Sequence, residues 1–172
     1  MRYAVFALAL AAASGGAVAQ APAAPAPAAT WQFFVAEGGR NGAGVQRPDG
    51  SQIVLKCDKP GRREVHALIL VGGSERLAVP NNRAVSRPIR FQFDGGAPRT
   101  ENWGFYEKYA MAQGKTSDRA LARFVTGLRG ASKVEMRLDT GIGPDVDMEF
   151  DTSGSREAIA RVYELCKDSP PA

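Results

Sequence analysis

The chain has 172 residues, 44% hydrophobic and 23% charged, a balance that excludes a wholly disordered polymer and fits one packed domain. Its 22 Lys and Arg against 18 Asp and Glu give a net charge of +4. Acids and bases are interspersed, so the concentrated basic stripe of a nucleic-acid binder is missing and no nucleic-acid partner is expected. One histidine and two cysteines are too few for a clustered His/Cys zinc site.

Residues 1–19 have the three parts of a secretory signal: Met1-Arg2 as the positive end, an apolar run from Tyr3 to Ala13, and the small-x-small site Ala17-Val18-Ala19 before Gln20. The apolar run is shorter than the roughly 20 residues that cross a bilayer, and no cysteine follows the cleavage site to carry a lipid. The expectation is a soluble periplasmic or secreted protein without a membrane anchor. Its net charge falls from +4 to +3 with the loss of Arg2. Residues 20–29 alternate Ala and Pro and read as a disordered, polyproline-like tether. Residues 30–172 then form a single globular domain.

Trp31–Val35 is rich in strand formers and opens the domain. Residues 37–51 are crowded with Gly, Pro and Asp and read as turns around at most a short strand. Gln52–Cys57 is a short strand. Glu64–Val71 has no polar face, as expected of a central strand covered on both sides. Gly72-Gly73 permits a hairpin into a strand at Glu75–Val79, and residues 80–88 form a loop. Ile89, Phe91 and Phe93 alternate with Arg90, Gln92 and Asp94 in a half-buried strand, which turns at Asp94-Gly95-Gly96 into a return strand reaching about Phe105.

The period then changes. Leu121, Phe124, Val125 and Leu128 share one helical face between a cap at Thr116 or Ser117 and Gly130. Two alternating strands follow, carrying Val134, Met136, Leu138 and then Val146, Met148, Phe150. A second helix runs from about Ser155 to Lys167 with Ile159, Val162, Leu165 and Cys166 on its apolar stripe. Strand hairpins with appended helices define an α+β fold: an antiparallel, sandwich-like β core with two helices.

An even cysteine count in an exported protein favours a disulfide, and Cys57 with Cys166 would tie the last helix to the sheet across 109 residues. A redox pair has no CxxC, and metal ligation has only His66 to draw on. His66 lies in the apolar strand without a Gly-x-Ser-x-Gly elbow and reads as a packed histidine. Gly38-Gly39 and Gly72-Gly73-Ser74 lack the flanks of a phosphate loop and read as hairpin glycines.

Asp145, Asp147, Glu149 and Asp151 face one way along the penultimate element. The neighbouring strand puts Lys133, Glu135, Arg137 and Asp139 on the same face, so cross-strand pairing accounts for much of the stripe. Farther back, arginines interleave with aromatics. Arg90, Arg99, Trp103 and Tyr106 form a candidate interaction surface, since aromatics beside arginines are typical of protein interfaces.

The segments LKC (55–57), RFQFDGG (90–96) with Trp103 after it, RFVTGLRGASKVEMRL (123–138) and FDTSGSREAIARVYELC (150–166) resemble the periplasmic type VI secretion-associated VasI/TagO-like family. The resemblance spans about residues 52–167. It implies a periplasmic accessory protein with no cofactor and no catalytic residues to carry over. Residues 31–51 are shorter and richer in glycine than that family's pattern.

Three functional readings follow. The first is a non-enzymatic periplasmic binding or accessory module that contacts another envelope protein. The second is a hydrolase of envelope polymers using carboxylates of the 145–151 stripe, which needs a carboxylate pair about 5–9 Å apart in a cleft. The third is a calcium-stabilised structural domain.

Overall fold

A computed structural model of the chain describes residues 30–36, 40–57, 65–73, 77–79, 81, 83–112 and 118–171. The expected signal peptide, the Ala/Pro tether, the Asp58–Gly61 turn and the helix cap at Thr116 or Ser117 lie outside these residues. The strands are β1 (Gln32–Ala36), β2 (Arg40–Gln46), β3 (Gln52–Cys57), β4 (Val65–Leu70), β5 (Val85–Phe93), β6 (Arg99–Phe105), β7 (Tyr109–Ala112), β8 (Lys133–Leu138) and β9 (Val146–Asp151). Helix α1 (Asp118–Gly130) joins β7 to β8, and α2 (Ser155–Leu165) follows β9.

All nine strands form one antiparallel sheet in the order β1-β2-β3-β4-β7-β6-β5-β8-β9. Period-two alternation decides which side chains enter the core: Ile53, Leu55 and Cys57 of β3, and Val134, Met136 and Leu138 of β8, are buried while their neighbours are not. Strand β4 is buried from Val65 to Ile69, as its unbroken apolar run requires. The sheet curls far enough for residues beside its end strands to touch, while β1 and β9 themselves do not pair. The Trp31 amide donates to the Ser153 carbonyl at 3.3 Å, and the Arg47 guanidinium lies 5.8 Å from the centre of the Phe150 ring.

The helices cover the inner face. Phe124 of α1 is the hub of an aromatic cluster, edge-on to Trp103 at 5.0 Å and to Phe91 at 5.5 Å. Burying each such ring stabilises the fold by about 1.5–3 kcal/mol, and the edge-on geometry adds roughly 0.5–1.5. Helix α2 lays Ala158, Ile159, Val162 and Tyr163 on β1, β2 and β3. Cys57 at the end of β3 is bonded to Cys166 just past α2, with Cα atoms 5.8 Å apart, so the expected bridge is formed.

Four expectations about elements are corrected. Residues 77–79 are not a strand: the Leu77 amide bonds the Glu107 carbonyl at 2.9 Å and the Ala78 amide the Thr140 carbonyl at 2.7 Å, so the segment is stitched to two different partners instead of one ladder. The glycine-rich stretch contains a full seven-residue strand, β2. There the glycines serve close approach: a Cβ at Gly44 would lie 2.4 Å from the Ile53 carbonyl oxygen, and one at Gly42 2.6 Å from the Phe34 ring. Strand β5 begins at Val85, within the expected loop. Its Pro88 faces only β6, because pairing with β8 starts at Ile89, so the missing amide costs no ladder bond. Strand β7 was not anticipated. It is four residues long and owes its place to pairing with β4 and β6.

Candidate functional site

The outward positions of β5, β8 and β9 fall into cross-strand rows. Arg90 pairs in register with Arg137, which pairs with Asp147; Gln92 pairs with Glu135, which pairs with Glu149. These two rows line a groove of about 620 Å3 on the outer face of the sheet, which Arg47 borders. The third row is Lys133 opposite Asp151.

Ion pairs fix most of this charge. Arg137 donates from Nε and one terminal nitrogen to both Asp147 oxygens, at 2.6 and 2.8 Å. That fork holds the Asp147 carboxyl below the usual carboxylate range. The Lys133 ammonium lies between two carboxylates, 2.7 Å from Glu135 and 3.3 Å from Glu149, and their hydrogen bonds raise its pKa. Asp151 is also held low by its hydrogen bonds to Ser153. Asp94, at the end of β5, accepts from the Ser132 hydroxyl and from the Ser132 and Lys133 amides, which depress its pKa and lock β5 to β8. Arg90 is exposed and has no ion pair with any described residue.

The four residues expected to form one interaction surface do not come together. Arg90 lies in the groove. Arg99 is exposed at the start of β6. Trp103 is 1% exposed, so it belongs to the core and to no surface, because its outward-looking sequence context hides an inward position on β6. Tyr106 is half-buried and stacked on Tyr109 at 4.7 Å, beside a separate recess of about 400 Å3 that Arg83 and Lys108 also line. His66 is buried within β4.

Sequence reasoning missed Gln92 and Arg47 as groove residues. The alternation of β5 points Gln92 outward with Arg90, but nothing local announces that β5 lies beside β8. Chemically the groove presents fixed, ionised groups in a repeating pattern. Carboxylates spaced along a strand at about 7 Å and already engaged by Lys133 and Arg137 do not wrap a cation. Among the described residues, no group of three or more His, Cys, Asp or Glu is placed to hold a metal ion.

The fold and groove together define a disulfide-tied α+β domain with an open, charge-patterned sheet face. No family model matches the chain, and no curated protein or solved structure is significantly similar to it.

Proposed function

We propose that this chain is a non-enzymatic accessory module of the bacterial periplasm that docks another envelope protein on the groove of β5, β8 and β9. The observation that carries the reading is the state of the groove's charges. Arg137 and Asp147 are tied to each other by a two-point ion pair, whereas Arg90, exposed beside them, has no ion pair with any described residue. Such a surface recognises complementary charge and sets register with a partner. It is poorly suited to moving protons, for which a carboxyl with a raised pKa is the usual requirement. The buried Cys57–Cys166 bridge supports an oxidising compartment. The resemblance to the VasI/TagO-like family suggests type VI secretion as the setting.

The test is a photo-cross-linking residue at Gln92 in the exported protein. The reading predicts one dominant cross-link to an envelope protein, abolished by Arg90→Glu, and weaker export of type VI effectors when the gene is deleted. Cross-linking from Tyr106 but not from Gln92 would move the docking site to the tyrosine recess and defeat the assignment.

A further inference from the structure

We infer that β1 is a self-association edge: two copies of this chain pair antiparallel through Gln32–Ala36 about a two-fold axis at Phe34. The sheet's two edges are unequally protected. At β9, four carboxylates (Asp145, Asp147, Glu149 and Asp151) flank or lie on the edge strand, and such charges repel an incoming strand. At β1 the sequence is QFFVA, with no charge and no proline, in unbroken register with β2 from Gln32 to Ala36. Nothing about its composition blunts the edge.

The exposed apolar side chains agree. The large hydrophobics exposed among the described residues are Phe34 at 40%, Val35 at 63%, Ile142 at 63% and Leu165 at 40%. Phe34 and Val35 are on β1. Leu165 belongs beside Val35. The Arg161 guanidinium sits 4.1 Å from the centre of the Phe33 ring, and Leu165 is one helical turn farther along the same face of α2. The next residue, Cys166, is bonded to Cys57, which occupies the same cross-strand row as Asn41 and Val35. Val35 and Leu165 therefore meet on the α2 face of this edge and Phe34 lies on the opposite face of the same strand, so exposed apolar side chains flank the edge on both sides.

A second copy fits this edge on three counts. Full antiparallel overlap places Phe34 opposite the second copy's Phe34, and the exposed Val35 opposite the second copy's Phe33, on the face that α2 covers. Aromatic–aromatic and aromatic–β-branched pairs are favourable cross-strand neighbours. An uncharged strand meeting itself brings no like charges together. Each α2 packs on β1, β2 and β3, so the two helices flank the axis about 14 Å apart, three strand spacings, within reach of Arg161 from one copy and Glu164 from the other. The pairing is isologous and closes at two, because it consumes β1 and leaves only the acidic β9 edge. It uses none of the groove residues, so each protomer keeps its docking face.

Sedimentation equilibrium of the exported protein over micromolar to high-micromolar concentrations tests this. The expected result is twice the monomer mass for the wild type, monomer for Val35→Lys, and undiminished dimer for Ile142→Lys, a matched change at an equally exposed position. Phe34→Cys should form an intermolecular disulfide under air oxidation, since the axis brings the two Cα atoms within bridging distance. This second variant reports on the register even if Val35→Lys proves unstable. A monomeric wild type, a dimer that survives Val35→Lys in folded form, or a dimer that Phe34→Cys fails to cross-link would overturn the inference.

Discussion

Asp147 and Arg137 set the character of the groove through one bidentate contact between two exposed side chains. Because the folded carboxyl titrates below its ordinary 3.8, its contribution is present above that value and disappears as pH falls through the lower, folded midpoint. Both partners are solvated, so the pair affects the local charge state far more than global stability. A carboxylate-detected NMR titration should give an Asp147 midpoint below 3.8, returning to the ordinary value in Arg137→Gln. A wild-type midpoint already at the ordinary value would mean the pair does not persist in solution. Trp103 shows the limit of reading single residues. Arginines and tyrosines around it suggest a surface, yet its position on β6 points it at Phe124.

At the scale of elements, α2 depends on its disulfide and on its apolar stripe. The bridge closes a 109-residue loop, for which the chain-entropy model gives about 4–5 kcal/mol, and both sulfurs are fully buried. Cys57→Ser or Cys166→Ser should lower stability by about 2–5 kcal/mol in denaturant melts while leaving the far-UV spectrum native, because Ile159 and Val162 still dock the helix. Unchanged stability would show that the bridge adds nothing to the packing.

The elements legible in the sequence carry a clear local pattern: both helices, the alternating strands β8, β9 and the Ile89–Phe93 half of β5, and the strand-forming runs of β1, β3, β4 and β6. Those that were not depend on neighbours. β2 is a strand because its glycines let β1 and β3 approach closely, and β7 is a strand because β4 and β6 flank it. The 77–79 segment failed in the opposite direction, since its amides found partners outside any ladder.

At the scale of the whole molecule, the sheet order sets both stability and site. Burial pushes the Tyr163 phenol up to about 12 from its ordinary 10.0. The neutral form is favoured in the fold, so the stabilisation is full below pH 10 and is lost as pH rises towards 12, by about 2–3 kcal/mol. Alkaline melts should show that loss in the wild type and a smaller one in Tyr163→Phe; identical pH profiles would place the alkaline sensitivity elsewhere.

The groove is likewise a product of the whole. Arg137 and Asp147 share one hairpin, but Arg90 lies far from both in the chain and joins them because β5 pairs with β8 across the crossover through α1. The charges of the β8–β9 hairpin were legible as a ladder. Their union with Arg90 was not, since strand order is non-local.

In the proposed function this ladder recognises a partner rather than merely pairing with itself. The double exchange Arg137→Asp with Asp147→Arg tests it most directly, because it preserves the internal ion pair while reversing the pattern presented to a partner. Tm should stay unchanged and the cross-link from Gln92 should be lost. An exchanged protein that is folded and still cross-links as the wild type does would contradict the proposed function.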